Sequence, residues 1–159
     1  MQIDFMNALL AEDSIITKLF GNVVFQLDEH TISTHKVFLC ARSEYFNAMF
    51  ERGMVEAKTN LVKITNDHSN SQFHISPENV RCLLQFLYTD KLDIDVNQAI
   101  GLLPLATQYQ LERCKHLCES LIEKEVEIES VCFVYQVAKF YGAERLKVFC
   151  IRFIQENFE

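Results

Sequence analysis

Glycine and proline are scarce in this chain, with 4 and 2 in 159 residues. Disordered segments are typically rich in such residues and poor in apolar ones. Here 49% of residues are hydrophobic and 13 are Phe, so disorder is excluded and one domain, or one domain with a small appendage, has ample core. No apolar run reaches the length of a membrane span, and no secretory leader precedes the first helical stretch. Basic residues are the minority, 15 Lys and Arg against 22 Asp and Glu, for a net charge of −7. Nucleic-acid modules usually present a basic face, so neither a nucleic-acid nor a membrane partner is expected. Internal repeats and low-complexity tracts are missing. So are a Gly-rich phosphate loop, a nucleophile elbow and a His-Glu-x-x-His run, the signatures of common catalysts. His30, His35, His68, His74 and His116 are scattered over turns, loops and a helix. No catalytic residue and no cofactor is expected, and the chain reads as a binding protein rather than an enzyme.

Cysteine is present six times, at Cys40, Cys82, Cys114, Cys118, Cys132 and Cys150. Each falls in an apolar helical stripe rather than at the loop positions of a disulfide framework. Free, buried thiols in a cytoplasmic or nuclear protein are therefore expected. Cys114 and Cys118 lie one helical turn apart with His116 on another face, and two thiolates without two further ligands do not make a structural zinc site. No metal is expected.

Along the chain, Met1 to Phe20 reads as an amphipathic helix, with Phe5, Met6, Leu9, Leu10 and Ile16 forming a broad apolar stripe. Val23, Phe25 and Leu27 alternate against Val24, Gln26 and Asp28, the period of a strand with two different faces. A polar turn over Asp28 to His30 leads into a second strand at Thr31 to Thr34, and Ser43 is placed to cap a helix bearing Tyr45, Phe46, Met49 and Phe50. Leu61 to Ile64 is a strand, Asn66 to Ser76 a polar loop, and Ser76-Pro77 a helix start. That helix ends near Thr89-Asp90, and Lys91 to Ile94 makes a last short strand. Asp95 and Gln98 have the spacing of a capping box, and Pro104 sits inside the helix they open, where a kink is expected. Leu111 to Leu121 carries the next helix. A helical pair follows, with Gly142 as the stop between its members.

The stretch NVVFQLDEHTISTHKVFLCARSEYFNAMFERGMVEA, residues 22–57, resembles the front half of a BTB (POZ) domain. A hairpin, His35-Lys36, a Leu-Ala-rich helix, Ser43-x-x-Phe46 and the Met49-Phe50 pair occur in the family's order. LLQFLYTDKLDI, from Leu83 to Ile94, and LLPLATQYQLERCKHLCESLI, from Leu102 to Ile122, continue the likeness. The resemblance implies an α+β fold, a short, mostly antiparallel sheet packed with a cluster of helices. It places the BTB domain at residues 1–125; the helical pair in residues 126–159 resembles the 3-box that opens the BACK region of cullin-3 adaptors.

What the resemblance implies for function is a dimeric adaptor that recruits a cullin-3 ubiquitin ligase and binds its substrate through a region this chain lacks. Met54-Val55-Glu56 matches the adaptor motif of a hydrophobic residue, any residue and Glu, with Tyr109 and Gln110 as further cullin contacts. The alternative for Met54 and Glu56 is a core filler and an ordinary surface charge. The homodimer interface implied comprises Phe5, Met6, Leu9, Leu10, Ile16, Asn22 and Lys36, unless the first helix merely covers its own core. Asn22 stands where BTB dimers commonly place Asp, which weakens the case for a charged dimer pocket. His35 is expected to make a structural hydrogen bond at the strand-to-helix junction. A dimeric platform for transcriptional co-repressors is the alternative function. The interface zinc ligands of a third relative, the potassium-channel tetramerisation domain, have no counterpart here.

Overall fold

The computed structural model describes residues 22–66 and 74–157. The chain divides into two compact units, residues 1–92 and 93–159.

The first unit is built on a three-stranded sheet in the order β2-β1-β3. Strand β1 (Val23–Leu27) buries Val23, Phe25 and Leu27 and leaves Val24 and Gln26 half-buried, as its alternation requires. It pairs antiparallel with β2 (His30–Thr34) from Val23↔Thr34 to Leu27↔His30. The turn is one residue shorter than expected, because His30 already belongs to β2. Asp28 takes φ +53 there, a left-handed conformation that Asp tolerates better than most residues. On its other side β1 pairs parallel with β3 (Leu61–Ile64), from Val24↔Leu61 to Leu27↔Ile64. The sheet is thus mixed, with the antiparallel ladder the longer of the two.

Three helices fill the connection from β2 to β3, since parallel neighbours cannot be joined by a tight turn. Helix α1 (Lys36–Arg42) ends at Ser43, whose Oγ then accepts the Phe46 N–H at 3.3 Å and caps α2 (Glu44–Glu51). Phe46, Met49 and Phe50 are the buried residues of α2, and the Phe46 ring meets Phe25 edge-on at 5.8 Å, tying helix to sheet. A short α3 (Val55–Thr59) stops at Asn60, which is left-handed at φ +53. Helix α4 (Pro77–Thr89) begins with Pro at its first position and a reciprocal cap between Ser76 and Asn79, and it buries Val80, Leu83, Leu84 and Leu87.

Lys91 to Ile94 does not form the expected strand. These residues alternate exposed and half-buried, as a strand's would, but no strand lies beside them among the described residues. Without a partner for its backbone groups the alternation produces no ladder.

The second unit holds four helices: α5 (Val96–Gln108), α6 (Glu112–Glu125), α7 (Val131–Phe140) and α8 (Glu144–Asn157). Asp95 accepts the Gln98 N–H at 2.8 Å, and Gln98 Oε1 accepts the Asp95 N–H at 3.0 Å, so the capping box opens α5 as its spacing implies. Pro104 lies inside α5 without ending it. Helix α5 packs on α6 and α7 on α8, and α8 also meets α6. Arg145 on α8 donates to Glu123 on α6 at 2.8 Å. Gly142, at φ +63, makes the turn between α7 and α8, where an L side chain would be strained. The boundary between the compact units lies at Leu92 and Asp93, and within the second unit α6 packs with α8.

Candidate partner-binding surface

Between α2 and α3 the chain turns through Arg52 and Gly53, the latter at φ +66, a conformation open to glycine at little cost. Met54 follows as the residue that caps α3, and its carbonyl accepts the Ala57 N–H at 3.0 Å. Its backbone is therefore fixed by the helix start, while its side chain is 46% exposed. Val55 is 71% exposed, and Glu56, in the first turn of α3, is half-buried. A carboxylate in the first turn suits the positive end of the helix. The result is a pair of adjacent apolar side chains held out in solvent on a defined backbone. The core-filler alternative for Met54 does not fit this exposure.

Tyr109 and Gln110 end α5 in different ways. Tyr109 is 1% exposed, so the structure corrects its assignment as a partner contact: the ring is packed inside and offers no surface. Gln110 is exposed and takes φ +54, with its N–H donated to the Thr107 carbonyl at 3.1 Å. Aromatic residues at helix ends serve both core and surface, and the sequence carries no signal that separates the two.

Of the residues assigned to a dimer interface, Phe5, Met6, Leu9, Leu10 and Ile16 lie outside the described residues. Asn22 is exposed, and its Oδ1 accepts the Lys36 N–H at 2.8 Å. His35 flanks α1 but makes no side-chain cap, so this helix start is capped from 14 residues upstream instead. The Lys36 ammonium sits 4.6 Å over the Phe50 ring, and the next residue, Val37, is 68% exposed.

His35 makes the junction bond expected of it. Its backbone N–H donates to Tyr88 Oη at 3.0 Å, its Nδ1 lies 2.7 Å from the same oxygen, and Thr34 Oγ1 is 2.9 Å away. Burial pushes the Tyr88 phenol above its ordinary value of 10, partly offset by these hydrogen bonds. Phe38 stacks on the Tyr88 ring at 4.6 Å, and Arg42 donates to the Leu87 carbonyl at 3.2 Å and pairs with Asp90 at 2.8 Å. These contacts lock α1 to α4, and α1 leads into α2, which is followed by the turn to Met54. The cluster is structural rather than chemical. Sequence reading missed Tyr88 because nothing local distinguishes it from any other core tyrosine.

No disulfide joins any two of the six cysteines. Cys82, Cys114, Cys118 and Cys150 are buried, Cys40 is half-buried, and Cys132 is exposed, contrary to the expectation of burial. Burial pushes the Cys150 thiol up to about 11. Among the described residues no group of His, Cys, Asp and Glu is arranged to hold a metal ion, and no helix is long and apolar enough to cross a membrane.

The family model of the BTB/POZ domain matches residues 13–126. The chain belongs to the BTB family. Its fold agrees with that of the BTB domain of zebrafish PATZ1, at a TM-score of 0.54 and 22% identity over 77% of this chain and 92% of that one. Among curated relatives, the BTB chain is 31% identical over 150 residues to the ARM repeat protein interacting with ABF2 of Arabidopsis thaliana, covering 94% of the chain and 20% of that protein. It is 28% identical over 141 residues to human Kelch-like protein 7, covering 89% of the chain and 23% of that protein. The chain thus spans roughly a fifth of the length of the curated relatives it matches. As a BTB domain it is a protein–protein interaction module, and its candidate surface is read accordingly.

Proposed function

We propose that this BTB chain is the cullin-3-binding part of a dimeric ubiquitin-ligase adaptor, acting in the cytoplasm or nucleus without a catalytic site of its own. The observation that carries the reading is the exposure of Met54 and Val55, at 46% and 71%, on a helix start of fixed backbone. An unbranched, polarizable Met held in water suits insertion into a hydrophobic groove on a partner. Val55 widens the apolar contact, and Glu56 lies in the first turn of α3, at the positive end of that helix. Helices α7 and α8, within residues 126–159, are read as the 3-box at the start of a BACK region. Asn22 and Lys36, with the stripe from Phe5 to Ile16, are read as the two-fold interface, the commonest form of closed oligomer. Substrate binding is assigned to a region outside this sequence.

Calorimetric titration of the chain with an N-terminal fragment of cullin-3 tests this reading, together with light scattering for its mass. Saturable binding of one fragment per protomer, on particles of twice the 18.5 kDa chain mass, is expected. A folded dimer with no affinity for the fragment would shift the assignment to a platform for co-repressors.

A further inference from the structure

No further inference is drawn: the strongest candidate, the exposed apolar side chains Phe133 and Phe140 on α7 and Val148 and Ile151 on α8, has nothing in the structure that shows what covers it.

Discussion

Tyr88 and His35, 53 residues apart in sequence, are joined twice through one oxygen: the phenol Oη receives the His35 backbone N–H at 3.0 Å and lies 2.7 Å from His35 Nδ1. Thr34 reaches the same oxygen at 2.9 Å, so one phenol serves the end of β2 and the start of α1 together. Tyr88→Phe keeps the ring and its stacking on Phe38 but removes the shared oxygen. A loss of about 2–3 kcal/mol is expected, because buried polar groups then lose their partner. Denaturant unfolding of the purified variant measures it. A variant as stable as the parent would show that the cluster contributes no stability.

Asn22 offers a second test of the same helix start. Asn22→Ala removes the side-chain cap at Lys36 and should cost about 1 kcal/mol in thermal unfolding. Asn22→Asp keeps an acceptor oxygen and places a negative charge at a helix start whose first turn has no acidic residue. It should be at least as stable as the parent. An Asp variant as weak as the Ala variant would contradict a capping role.

Alkaline pH should weaken the fold through Cys150. Its thiol is raised from an ordinary 9 to about 11 by burial, so the unfolded chain loses that proton first as pH rises. The contribution is complete below pH 9 and is lost as pH climbs toward 11, on the order of 2 kcal/mol in all. Cys150→Ala should therefore show a shallower decline of unfolding free energy between pH 9 and 11 than the parent. Parallel declines would place the alkaline sensitivity elsewhere, for instance at Tyr88, whose phenol is also raised.

Thiol labelling separates the cysteines by exposure. Cys132 should react with a water-soluble thiol reagent in the native protein, well before the buried Cys82, Cys114, Cys118 and Cys150. Peptide mass mapping of briefly labelled protein checks the order. Uniform labelling of all six under native conditions would mean that the helices open on the timescale of the reaction.

Much of this fold is legible in sequence because it is specified locally. The alternation of Val23, Phe25 and Leu27 marks β1, Ser43 and Ser76 are caps, Asp95 with Gln98 is a capping box, and Gly142 is a left-handed stop. Each rests on residues within four positions of one another. What escapes is non-local. The parallel pairing of β3 with β1, the shared oxygen of Tyr88 and the cap from Asn22 depend on approaches that no short window contains. Asn66 shows the same limit: read as the first residue of a polar loop, it is buried, and its side chain bonds both the N–H and the carbonyl of Ile75. Lys91 to Ile94 has a strand's alternation without a neighbouring strand among the described residues, and Tyr109, which the resemblance implied as a partner contact, is buried. At the candidate site, Met54, Val55 and Glu56 were legible as a contiguous motif, while the left-handed Gly53 that precedes them is seen only in the structure.

The most direct test of the adaptor reading is Met54→Asp, compared with the parent chain in calorimetric titration against the cullin-3 N-terminal fragment and in thermal unfolding. With the side chain 46% exposed, the substitution should leave the melting temperature within a degree or two, while a charge forced into an apolar groove should weaken binding by about 2 kcal/mol or more, some thirtyfold. Unchanged affinity in a folded dimer, for Met54→Asp and Glu56→Ala alike, would contradict the assignment of this surface to cullin-3.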